Sequence, residues 1–187
     1  MSELDEIFKT VDQRMAKAIE ATRNDFASVR TGRASPALLD RLHVEAYGAT
    51  TPLKSVASVS VPDARTLQIQ AFDRNTVGAI RKAIETSDLG LSPNVDGSNI
   101  RLNIPPLTED RRKDLVKVVR KKAEDGKVAI RNVRHKSVDE IKALLKDGTI
   151  TEDDNKRAGE RIQKATDKHI KDVDVLVMAK EKEIMEV

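Results

Sequence analysis

Asn99-Ile100-Arg101-Leu102-Asn103-Ile104-Pro105-Pro106-Leu107-Thr108-Glu109-Asp110-Arg111 holds the change of rhythm on which the fold turns. Through Ile104 apolar and polar residues alternate, the period-2 pattern of a strand with one buried face. Two prolines then remove two backbone donors and fix φ, so neither a strand nor a helix runs through them. Thr108 follows as a helix N-cap, and Glu109 and Asp110 put negative charge at the positive end of the helix dipole. From there Leu115, Val119, Ala123, Ile130, Val133, Ile141 and Leu145 recur at helical spacing to about Lys146. On this helix Val133 is expected to face the core and Arg134 the solvent, since neighbours lie ~100° apart. Gly126 weakens the helix by about 1 kcal/mol relative to alanine, and close packing by a neighbouring helix is a reason for it.

Downstream, Asp147-Gly148 closes that helix and Thr151 caps another, with Glu152-Asp153-Asp154 in its first turn. Its stripe runs through Ile162, Ala165, Ile170, Val173, Leu176 and Ile184. Upstream, residues 3–29 carry Leu4, Phe8, Val11, Met15, Ala18, Thr22, Phe26 and Val29 at steps of three and four. That is a helix about 40 Å long at ~1.5 Å per residue, stopped by Gly32 and Pro36. Between these helices the texture is different. Residues 42–47, 56–61, 66–70 and 99–104 read as strands, 74–87 as a short helix through Val77, Ile80, Ala83 and Ile84, and 88–94 as turn.

Three long amphipathic helices must bury their stripes on one another. The first precedes the strand-rich stretch and the other two follow it. The expected fold is therefore α+β: a long antiparallel three-helix bundle from residues 1–30 and 105–187, with a small β-rich α/β domain inserted at 31–104. The two crossings carry hinge chemistry near 30–33 and 104–107, through Thr31, Gly32, Pro105 and Pro106.

Composition narrows the function. Cysteine is absent, which excludes disulfides, thiolate nucleophiles and Cys-based zinc sites. His43, His135 and His169 stand apart, without the close helical spacing of metal ligands. No phosphate-binding glycine loop or nucleophile elbow occurs, and Gly126-Lys127 sits mid-helix. Nothing in the sequence points to an enzyme or a cofactor. The acidic start lacks an apolar signal region, and no apolar run approaches the ~20 residues of a membrane helix. The expectation is a soluble cytoplasmic protein.

With 34 basic and 31 acidic residues, the net charge of +3 does not by itself announce a nucleic-acid binder. The distribution says more. Arg120, Lys127, Arg131 and Arg134 share one helix face, broken by Glu124, with Lys117 extending it and His135 and Lys136 nearby. On the last helix Arg157, Arg161, Lys164, Lys168 and Lys171 follow steps of four and three with no acid in register. Arg30 and Arg33 flank the first crossing. A charge-rich helix needs a wet face in any case. Two basic stripes on one bundle also fit a polyanion. With only Phe8, Phe26, Tyr47 and Phe72 as aromatics, base stacking is a poor fit, whereas phosphate contact to structured RNA is a good one.

Several segments resemble the ribosome recycling factors. Arg30-Thr31-Gly32-Arg33-Ala34-Ser35-Pro36 resembles that family's signature at the first hinge, and Ser87-Asp88-Leu89-Gly90-Leu91-Ser92-Pro93-Asn94 the one in its small domain. Asn99-Ile100-Arg101-Leu102 through Pro105-Pro106-Leu107-Thr108-Glu109-Asp110-Arg111-Arg112 resembles the second crossing, and Ala129-Ile130-Arg131-Asn132-Val133-Arg134 the basic helix. Length and element order agree throughout.

The resemblance implies an L-shaped, tRNA-like outline and a monomeric translation factor. With elongation factor G and GTP, such a factor separates the subunits of the post-termination ribosome so that they can be reused. The GTP would belong to elongation factor G. The bundle would touch mainly large-subunit rRNA, with Arg131 and Arg134 as contacts, Lys127 and His135 beside them, and Arg30 and Arg33 by the hinge. At His135 the sequence departs from the family's more usual arginine, exchanging a permanent charge for an imidazole. A coiled-coil adaptor or a general RNA chaperone would share the helices, but the adaptor leaves the inserted domain and the paired hinges unexplained.

Overall fold

In the computed structural model, which describes residues 2–186, the element order is α1 (Glu3–Ala27), β1 (His43–Ala46), β2 (Ala49–Pro52), β3 (Ala57–Asp63), β4 (Thr66–Ala71), α2 (Val77–Thr86), β5 (Pro93–Asp96), β6 (Asn99–Asn103), α3 (Glu109–Lys146) and α4 (Glu152–Met185). The chain divides into two units. One ends at Arg30 and resumes from Glu109 to Glu186; the other is Thr31–Thr108. The expected bundle limits at residues 1 and 187 lie outside the described residues.

The helical unit is an antiparallel three-helix bundle, as the stripes require. Val11, Met15 and Phe26 of α1, Leu115, Val119, Ala123, Ile130 and Ile141 of α3, and Ala158, Ile162, Val173 and Ile184 of α4 are buried. Gly126 is buried as well, and it faces Thr22 of α1. That contact is the reason for the glycine. α1 ends two residues short of the expected Val29, where the Ser28 and Val29 amides turn back to Asn24 and Phe26; Val29 is still buried.

Two helix starts are closed by reciprocal caps. The Ser2 hydroxyl accepts from the Asp5 amide at 3.2 Å while Asp5 accepts from the Ser2 amide at 3.0 Å. Thr151 and Asp154 repeat the pattern at 3.2 and 3.1 Å. Hydrogen bonds from the capping hydroxyls, then from the cap amides, hold the Asp5 and Asp154 carboxyls below the ordinary carboxylate value. A depressed folded-state pKa contributes stability that is present above the unfolded value and is lost as pH falls through the folded one. Thr151→Ala should therefore lower bundle stability by about 1 kcal/mol at neutral pH. The gap to wild type should narrow once the pH drops below the usual carboxylate range. Urea unfolding at both pH values checks it; a gap that stays constant in acid would contradict the linkage to Asp154.

The other unit holds a four-stranded antiparallel sheet in the order β3-β4-β6-β5 and a separate β1-β2 ribbon. Leu67 and Ile69 of β4 and Ile100 and Leu102 of β6 are fully buried, and α2 adds Val77, Ile80 and Ile84 to the same core. Strands β2 and β5 do not announce themselves in the sequence because they are short and polar and show no alternation. Tertiary pairing, β5 with β6 and β2 with β1, makes them strands. β3 runs past Pro62, which the alternation alone treats as a stop. It is an edge strand with a register shift between Ser60 and Asp63, and there a proline breaks no ladder. Tyr47 and Gly48, with φ of 53° and 79°, join β1 to β2 in the positive-φ turn that suits tight hairpins.

Candidate nucleic-acid interface

The expected site centres on α3. Lys127, Arg131 and Arg134 follow steps of four and three and span about 10 Å of helix. Their surroundings differ. Arg131 keeps a well-exposed side chain, and its Nη1 lies 2.9 Å from Glu124 Oε1. Exposed pairs of this kind contribute ~0–1 kcal/mol, so a phosphate can displace the carboxylate. His135, one residue beyond Arg134, is exposed. Lys127 is different: its side chain is only 21% exposed, and its Nζ sits 2.6 Å from Asp174 Oδ1 of α4. Its charge is engaged across the helix seam.

Val133 and Arg134 do not divide as core and solvent. Both are half-buried. The seam with α4 shades two adjacent positions at once, which a single-helix projection does not contain. Arg134 Nη1 donates to Gln163 Oε1 at 3.3 Å, and Gln163 Nε2 donates to Asp167 Oδ1 at 2.9 Å. One of the five guanidinium donors is thereby used on a neutral acceptor at the rim. This orients the fork without neutralising its charge.

The expectation of acid-poor stripes needs correcting. Arg120 meets Glu181 at 2.7 Å, and Asp174, which reads from the sequence as surface charge, answers Lys127. On α4 the Arg161 guanidinium lies 4.0 Å from the Phe8 ring centroid, and Arg157 stands near the Asp154 carboxyl. Lys164, Lys168 and Lys171 line a shallow groove together with Asp167 and Asp172. Acids of α4 thus balance part of what looks basic on α3 alone. On α3 the cross-helix pairs of Arg120 and Lys127 therefore narrow the basic stripe toward Arg131 and Arg134, with the exposed His135 imidazole beside them.

Arg30 is not gathered into this group. α1 and α3 run antiparallel with Thr22 opposite Gly126. Arg30 and Arg134 each lie eight residues from that level in opposite directions, which sets them roughly 20 Å apart along the bundle. Arg30 is exposed at the end of the helical unit, and Arg33 is exposed in the other unit. Thr31 and Gly32 are buried, Gly32 with φ 76°, while Pro105 and Pro106 are exposed. Sequence reasoning missed Gln163; its position opposite Arg134 depends on the register of α3 against α4. Among the described residues no group of three or more His, Asp or Glu is placed to hold a metal. Among the described residues no helix is long and apolar enough to cross a membrane.

Comparison with known proteins agrees across the chain. A family model described as ribosome recycling factor matches residues 22–185. A ribosome-recycling factor of Thermosynechococcus vestitus is 58% identical over 177 residues, covering 95% of this chain and 97% of its own. One from Symbiobacterium thermophilum is 54% identical over 182 residues, covering 97% and 98%. A solution structure of a ribosome recycling factor is similar over 100% of both chains, with a TM-score of 0.76 and 45% identity. The T. thermophilus ribosome recycling factor, in a structure with E. coli elongation factor G bound to the E. coli post-termination complex, is also similar. There the TM-score is 0.64 and the identity 49%, over 98% of this chain and 100% of that one.

Proposed function

The chain belongs to the ribosome recycling factor family, and on that premise we propose that it acts with elongation factor G and GTP to split the post-termination ribosome into subunits. The observation that carries this reading is the match over nearly the whole chain, both units included, to a relative placed with elongation factor G on a post-termination complex. The factor is a binding protein without catalytic chemistry of its own. Nucleotide hydrolysis belongs to elongation factor G, and the work is done on ribosomes in the cytoplasm.

Within this reading the bundle grips large-subunit rRNA through Arg131 and Arg134. Both belong to one rigid helix, at a spacing that suits neighbouring phosphates. An arginine fork grips a phosphate with two parallel charge-assisted bonds. His135 adds a further donor at the same rim, and Lys127 supports the field from behind its ion pair. Arg30 and Arg33 make separate contacts by the crossing, and Thr31, Gly32, Pro105 and Pro106 allow the chain to bend there.

Light scattering of intact ribosomes tests the function. Scattering should fall when this factor, elongation factor G and GTP are all present, and hold when any one is left out. Ribosomes that stay whole with all three, while a relative splits them under the same conditions, would overturn the reading.

A further inference from the structure

The β3–β4 turn is an unusual hairpin. It has two residues, Ala64 and Arg65, between Asp63 and Thr66. Such turns favour positive φ at their central residues, yet neither Ala64 nor Arg65 has it. The Asp63 side chain supplies the missing support. Its Oδ1 accepts from the Arg65 amide at 2.9 Å, an Asx-type brace, and the ladder shifts register just before it. Hydrogen bonds from the Arg65 amide and the Thr66 hydroxyl hold the Asp63 carboxyl below the ordinary range, so the brace is charge-assisted at neutral pH.

The carbonyls of this turn point to the two chain crossings. Ala64 O accepts from the Ala34 amide at 2.8 Å, and Arg65 O accepts from the Ile104 amide at 2.7 Å. Ala34 lies just past the first crossing, and Ile104 just before the second. Ile104 also belongs to the buried core of the small unit, and Ala34 packs against it. One braced turn thus holds both strands of the connection, through adjacent carbonyls.

We propose that the Asp63–Thr66 turn is a clasp that fixes both crossings at Ala34 and Ile104, confining bending to residues 31–33 and 105–108 and making Asp63 a positioning residue for ribosome splitting. The role is mechanical. The chain passes between the small unit and the bundle at these two crossings. Releasing the pins lengthens each crossing by ~3.3 Å for every residue that leaves the small unit. That slack absorbs displacement instead of transmitting it. The role in splitting rests on the function proposed above; the clasp itself does not.

Asp63→Ala removes the brace, and Asp63→Asn keeps an acceptor oxygen in the same place. In Asp63→Ala, amide hydrogen exchange at Ala34 and Ile104 should rise at least tenfold, with Leu67 and Ile100 unchanged. Splitting at saturating factor should slow several-fold while ribosome Kd stays within twofold, and Asp63→Asn should restore most of the rate. Unchanged exchange at both amides would overturn the clasp, and raised exchange with an unchanged splitting rate would overturn the positioning role. If Asp63→Ala also loses protection at Leu67 and Ile100, Ala34→Pro removes one pin without touching the turn. It must then slow splitting in the same way, and a wild-type rate would refute the proposal. A wild-type protein that fails to split ribosomes would count against the functional reading alone, because the exchange measurement still decides the clasp.

Discussion

Gly126→Ala should destabilise the bundle by up to about 2 kcal/mol, against the sign that helix propensity predicts. Propensity alone favours alanine by about 1 kcal/mol in a helix interior. The added methyl, however, would fall on the Thr22 hydroxyl oxygen of α1, with Thr22 Cβ at 3.3 Å and Cγ2 at 3.4 Å. Thr22 is only 2% exposed, and its hydroxyl donates to the Ala18 carbonyl at 2.9 Å, so it has little room to turn away. Overpacking of this kind costs about 1–3 kcal/mol, and it outweighs the propensity gain. Urea denaturation of Gly126→Ala, Thr22→Ala and the double variant forms a cycle. The double variant should recover much of the loss, with a coupling of at least ~0.5 kcal/mol. A Gly126→Ala protein more stable than wild type would show that α1 and α3 do not approach so closely.

The double variant Arg131→Ala/Arg134→Ala should lose about a hundred- to ten-thousandfold in ribosome affinity. Hydrogen bonds to charged groups contribute about 1.5–3 kcal/mol each, and tenfold in Kd corresponds to about 1.4 kcal/mol. Folding should change little, because the Glu124 pair is exposed and the bond to Gln163 is long and at the rim. Arg134→Lys should recover only part of the Arg134→Ala loss, since charge survives but the fork does not. The slope of log affinity against log salt should also become shallower by nearly one for each phosphate that the variant no longer grips. Binding measured at several salt concentrations, beside thermal unfolding, separates these effects. A folded double variant with wild-type affinity and slope would remove both arginines from the interface.

The long helices were legible because their signals are local and redundant. Thr108, Thr151 and the apolar stripes each mark an element within a few residues. Three such stripes leave a bundle as the way to bury them. The strands β4 and β6 were legible for the same reason, since Leu67, Ile69, Ile100 and Leu102 alternate on a buried face. The family signatures could likewise be read directly, because they are contiguous.

What the sequence could not hold is what lies across a gap in the chain. β2 and β5 are strands because partners pair with them, not because of their own residues. Part of the basic character on α3 disappears into the pairs Lys127–Asp174 and Arg120–Glu181, which only the helix–helix register creates. The same register shades Val133 and Arg134 alike and places Gln163 at the arginine's fork. The sequence by itself determined the helices, the alternating strands, the bundle and the family, because periodicity, caps and signatures act over a few residues. The tertiary structure alone decided which charges stay exposed, why Gly126 is a glycine and how one turn holds two crossings, because each depends on atoms that meet only after distant segments have packed.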